Sequence, residues 1–172
     1  MGNEKEKKSW TGPDVCRGDL LPGRGLFRVR YPGGGVNDYP SVADSVLTLT
    51  SPGEYAAAIP SGVTKLVVDA KGEVTLSSAT AYEGEVEICS GSTLNVASFN
   101  LLANAPITVK DGGTLCPTFE GKGQFTSVFL KPITISGSGV DGKGAFRYDG
   151  THNYKTDALV DMLILAADAT ID

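Results

Sequence analysis

The chain has 172 residues and a net charge of −5 at neutral pH, enough length for one domain with a substantial core. Residues 1–30 carry seven Lys/Arg against four Asp/Glu, and the remainder carries eight against sixteen. An acidic body argues against a nucleic-acid partner, and the lack of long apolar runs excludes membrane insertion of this segment as a helix.

The chain opens with MGNEKEKKSW, which is charged where a signal peptide needs an apolar stretch. Glu6 stands where myristoylation needs Ser or Thr. Residues 1–9 are therefore expected to be a charged, disordered leader, fitting a cytosolic protein or a piece of a secreted one. Residues 10–60, rich in Gly and Pro, are expected to form an N-terminal cap. Within it, LFRVRY (26–31) alternates like an edge strand, with Arg28 and Arg30 on one face and Phe27, Val29 and Tyr31 on the other. Arg28 and Arg30 are weak candidates for a contact surface. Arg17-Gly18-Asp19 matches the tripeptide of integrin ligands, but Cys16 beside it favours a structural turn.

VLTLT (46–50) reads as a strand. Ser51-Pro52-Gly53-Glu54 then reads as a helix start, with Ser51 as N-cap, Pro52 at the first helical position and Glu54 closing a capping box. Tyr55, Ala58 and Ile59 would share one face before Pro60 stops the turn. This short helix over 51–59 is expected to plug the first coil.

From residue 64 onward one module recurs: a short alternating strand, a tight polar turn and another short strand. Val86, Ile88, Gly91, Thr93 and Leu94 fall on Ile107, Val109, Gly112, Thr114 and Leu115 at a constant offset of 21. An offset of 20 places Leu66, Val68, Val74 and Leu76 on Val86, Ile88, Leu94 and Val96. PITIS (132–136) and MLILAADATID (162–172) restart the pattern, with Leu163, Leu165 and Ile171 in the apolar columns. Alternation of period two excludes helical repeats, and the leucine-rich signature is missing. The expected fold is all-β: a right-handed parallel β-helix over 61–172, with glycines at its corners and the helix-bearing cap at its N-terminal end.

ITISGSGVDGKG (133–144) contains G-x-G-x-x-G after a strand, the outline of a dinucleotide loop. Such a loop must open a helix, whereas KGAFRYDGTHNY follows, with no helical stripe. Gly139 and Asp141 also echo half of a calcium-binding nonapeptide, but Ser136 replaces its first glycine. The stretch is expected to be a corner without cofactor or metal. Cys16, Cys89 and Cys116 lack zinc-site spacing, and three cysteines permit at most one internal disulfide.

The segment PITISGSGVDGKGAFRYDGTHNYKTDALVDMLILAADATID resembles one copy of the autotransporter-associated β-strand repeat, also called the passenger-associated transport repeat. Ile133, Gly137, Gly139, Gly144, Ala145, Phe146, Ala166, Asp168, Ala169, Thr170 and Ile171 match that motif in order. The resemblance covers 41 of 172 residues. It implies a secreted or surface-displayed bacterial passenger with a β-helical stalk. The chain carries no translocator barrel or signal peptide of that family, and so reads as an excised N-terminal piece or a distant relative.

Catalysis is not expected. The paired-aspartate and Arg-Ile-Lys signatures of polygalacturonase-like enzymes are missing, and Asp141, Asp149 and Asp157 are spaced like loop residues. His152 is the sole histidine. With Tyr154 it lies in a polar excursion, THNYK, that could contact a glycan. The favoured reading is a non-catalytic stalk or adhesion surface whose partners are glycans or a host or cell-surface protein. The alternative is a carbohydrate-binding or polysaccharide-degrading β-helix with an incomplete groove. The C-terminal coil, with its apolar end uncovered, is expected to self-associate.

Overall fold

A computed structural model of the chain describes residues 37–98, 100–118, 128–149 and 160–172. The short alternating segments form strands that fall into two parallel sheets. The first sheet contains β1 (Val46–Leu49), β3 (Lys65–Val68), β5 (Glu85–Ile88), β7 (Ile107–Val109), β9 (Ile133–Gly137) and β10 (Leu163–Ala169), hydrogen-bonded in that order. The second contains β2 (Gly53–Tyr55), β4 (Glu73–Leu76), β6 (Thr93–Val96) and β8 (Thr114–Pro117). Consecutive strands up to β9 alternate between the sheets, so each circuit adds one rung to each wall. This is a parallel β-solenoid.

Register makes the core. In the first sheet Leu47, Leu66, Val86, Ile107, Ile133 and Leu163 stand on one another, as do Leu49, Val68, Ile88, Val109, Ile135 and Leu165. In the second, Val74, Leu94 and Leu115 form a column that Phe146 and Ile171 extend through isolated bridges. Tyr55, Leu76, Val96 and Pro117 form the fourth. The side chains inside the stack are almost completely buried. Each such aliphatic contributes about 1.5–3 kcal/mol relative to exposure, so stability comes from identity of column rather than from any single large nucleus. The offsets of 20 and 21 are thus the pairing register itself.

Two expectations change at the N-terminal side. Residues 51–59 are not helical: Gly53–Tyr55 is a strand paired in register with β4. A helix would withdraw Tyr55 from the column above Leu76, and burial of that ring outweighs the local capping pattern. Stacking also reaches back before residue 61, since β1 pairs with β3 over its whole length. Among the described residues, 37–45 cover part of this end. Tyr39 stacks on Tyr55 with ring centroids 5.2 Å apart. Ala43 and Val46 exchange both backbone hydrogen bonds, at 3.0 and 2.8 Å, and the Asn37 N–H donates to the Glu54 carbonyl at 2.7 Å. The rest of the expected cap, 10–36, and the leader lie outside the described residues.

A third apolar side joins the two sheets. Leu101, Leu102, Phe129 and Tyr82 are buried. Successive connections hydrogen-bond through Tyr82 N–H to Leu101 C=O, Leu130 N–H to Ala103 C=O and Asp161 N–H to Phe129 C=O, at 2.7, 2.8 and 3.0 Å. The connections leaving the second sheet are the long ones, over 56–64, 77–84, 97–106 and 118–132, whereas those leaving β1, β3, β5 and β7 are tight. At the tight corner Lys71, Gly91 and Gly112 stack with positive φ of 51°, 78° and 75°. Glycine is the residue that meets this backbone without strain, and Lys71 shows that the corner is imposed by the coil even where glycine is absent.

Candidate functional site

The G-x-G-x-x-G stretch closes on itself. Gly137, Gly139, Gly142 and Gly144 all have positive φ, and Val140–Gly142 makes one 3-10 turn. A Cβ at Gly139 would collide with the Gly144 carbonyl. Thr114, from β8 in the preceding coil, staples the corner: its hydroxyl donates to the Gly144 carbonyl and accepts from the Val140 N–H, both at 2.9 Å. The Lys143 and Gly144 N–H groups donate to Val140 and Ser138 carbonyls at 3.1 and 2.7 Å. A phosphate cradle needs such N–H groups directed at the ligand. Here they are consumed inside the turn, which is a corner as the sequence implies.

The outward face of the first sheet carries a small open groove of about 180 Å³ lined by Lys65, Glu85, Val86, Glu87, Pro106 and Thr108. Strand alternation turns Glu85 and Glu87 to the same side. Lys65 meets the Glu87 carboxylate at 2.7 Å, one rung away, and Glu87 is only 7 % exposed. Glu85 is exposed. The groove thus offers one compensated carboxylate and one solvated carboxylate, with no aromatic wall against which a sugar ring could stack.

On the outward face of the second sheet, Thr75, Asn95 and Cys116 stand in register, with Arg147 beside Cys116 on the next rung. The Arg147 guanidinium lies 3.5 Å from the Asp149 carboxylate. Cys116 is a fully buried free thiol. Burial pushes its pKa up, with Arg147 pulling the other way. A thiol raised by burial is less readily converted to the nucleophilic thiolate. Cys89 is disulfide-bonded, within the limit of one internal bridge.

Among the described residues no three His, Cys, Asp or Glu side chains converge on a point that could hold a metal ion. Asp141 and Asp149 sit at separate corners, with Asp141 only 4.0 Å from Lys143. Of the candidate contact residues, Arg28, Arg30, His152 and Tyr154 lie outside the described residues, as do Asp157 and the Arg17-Gly18-Asp19 tripeptide. His152 and Tyr154 belong to the connection between Asp149 and Val160, which enters β10. Sequence reasoning missed the Thr114 staple and the Lys65–Glu87 pair. The in-register offset would have placed Lys65 beside Glu85, from which the diagonal Glu87 follows.

No protein-family profile, curated protein or solved structure matches this chain.

Proposed function

We propose that this chain is a non-catalytic part of a secreted or surface-displayed bacterial β-solenoid, a stalk that carries adhesive loops. The observation that carries this reading is the one-sided placement of its long connections. Up to β9 the longer connections, over 56–64, 77–84, 97–106 and 118–132, leave the second sheet and those leaving β1, β3, β5 and β7 are tight; the connection over 138–162, from β9 to β10, is the exception. A rigid stack presenting variable connections along one edge is suited to display, because binding residues concentrate on loops held by a scaffold. The groove chemistry supports the same reading. Glu87 is paired with Lys65 at 2.7 Å, and on the other sheet the Cys116 thiol is buried. The disulfide at Cys89 fits an oxidising compartment. Kinship with the autotransporter-associated repeat is part of the proposal: its matching Ile133, Phe146 and Ile171 occupy rung positions, and its glycines occupy the corner.

The full chain, assayed on a glycan array and against uronic-acid polysaccharides, tests the proposal. Retention on a glycan or cell-surface ligand, weakened by His152→Ala or Tyr154→Ala without loss of folding, is the expected result. Release of new reducing ends would overturn it in favour of a polysaccharide-degrading β-helix.

A further inference from the structure

Three side chains on the outward face of the first sheet are buried, although strand alternation turns them away from the core. Val67 stands between the core residues Leu66 and Val68, and Glu87, its register partner on β5, stands between Val86 and Ile88. Cys89 continues the same row, because the ladder still holds there: its N–H donates to the Val68 carbonyl at 2.9 Å. Val67 and Cys89 are 0 % exposed and Glu87 is 7 % exposed. Lys65, which meets Glu87 at 2.7 Å, shields one edge of this patch. It stands opposite Glu85, however, at the other end of the strand from Cys89. Among the described elements none lies over this face, and β3 and β5 contact chiefly their neighbours within the sheet.

We infer that this face is the docking site for residues 16–36 of the same chain, fastened by a disulfide between Cys16 and Cys89. The cysteine count selects the partner. The chain has three cysteines, Cys89 is bridged and Cys116 is free, which leaves Cys16. Joining the two thiols removes two protons and two electrons, which a disulfide-exchange donor accepts as it becomes a dithiol. Length permits the connection. Twenty residues separate Cys16 from Asn37, whose N–H is held by the Glu54 carbonyl. Extended, they reach about 70 Å, whereas the two rungs from β5 to β1 span about 10 Å. The composition of the segment suits the task as well. LFRVRY offers Phe27, Val29 and Tyr31 on one side as an apolar cover for Val67, and leaves Arg28 and Arg30 on the other. The covered face is then withdrawn from outside ligands, which are left the third-side connections and the open groove beside Glu85. This docking is independent of the adhesive reading and would stand if that reading failed.

Non-reducing peptide mapping of the full 172-residue chain, together with carbodiimide labelling of its carboxylates, tests the inference. A peptide containing Cys16 linked to one containing Cys89 is expected, with Cys116 as the remaining thiol. Glu87 should label far more slowly than Glu85, which is exposed on the same strand. Cys16→Ser should raise the Glu87 rate by about fivefold or more, because the cover loses the local concentration that its tether supplies. The Glu85 rate should stay unchanged, and circular dichroism should show the solenoid still folded. Should Cys16→Ser fail to fold, reduction of the bridge in the unaltered chain, followed by the same labelling, reads the same cover. Cys89 found as a free thiol, linked to Cys116 or bridged between two chains would overturn the inference. So would a Glu87 that labels as fast as Glu85, or one whose rate ignores loss of the bridge.

Discussion

Thr114 holds its corner through one hydroxyl that both donates and accepts, at 2.9 Å each way. Replacing it with Val keeps the shape and strands a carbonyl and an N–H, so Thr114→Val should cost about 1–3 kcal/mol. Thr114→Ser retains both bonds and should cost no more than about 1 kcal/mol, the worth of one methyl. Urea unfolding of the two variants checks the contrast, and equal costs would remove the hydroxyl from the explanation. The buried tyrosines set an alkaline limit. Burial, with Glu85 nearby, pushes Tyr82 to about 12, and burial, with Tyr55 adjacent, pushes Tyr39 to about 12. The unfolded phenols ionise near their ordinary value of 10.0. Their contribution to stability is therefore complete below pH 10 and lost as pH rises towards 12. Tyr82→Phe should flatten that decline, and tyrosinate absorbance followed alongside circular dichroism would show it.

A strand here is only as stable as the rungs on either side. Ile107 lies between Val86 and Ile133, and Ile107→Ala should destabilise the chain by about 2–5 kcal/mol. Leu130, half exposed, belongs to no sheet column, and Leu130→Ala should fall within about 0.5 kcal/mol. Denaturant midpoints of the pair read out this difference, and a similar loss at both positions would contradict the column account. The same elements explain what could be read from sequence. β3 to β8 were legible because their coils differ in length by one residue, so a constant offset exposes the pairing. The third side was not legible. Its residues Tyr82, Leu101 and Phe129 sit in connections of unequal length, where no fixed offset survives. β2 was misread because a capping sequence is local, whereas the burial of Tyr55 is settled by a partner twenty-one residues away. The site was legible only at the corner, where glycine spacing implied a turn. The carboxylate pairing in the groove depends on which diagonal neighbour a long lysine reaches, and that is a matter of side-chain geometry.

Along the whole stack each rung contacts only its neighbours, so stability should grade from one end to the other. Amides of β3 to β7, with a rung on both sides, should exchange slowest in deuterium oxide. Those of β10, the outermost strand of its sheet, should exchange faster. A single rate across all strands would mean that the stack opens only as a whole. The unequal corners carry one more consequence, for what the chain can be made to hold. Lengthening a connection that already swings wide costs little, about 0.6 kcal/mol for each doubling of its length. At the tight corner, where Lys71, Gly91 and Gly112 stack on one another and the Gly91 N–H donates to the Gly112 carbonyl at 2.8 Å, an added residue would slip the strands on either side. A foreign peptide grafted between Thr80 and Ala81 should therefore be carried by a folded solenoid. The same peptide placed between Ser90 and Gly91 should abolish folding, which makes one flank of the molecule a permissive platform for new sequence and the other a fixed spine.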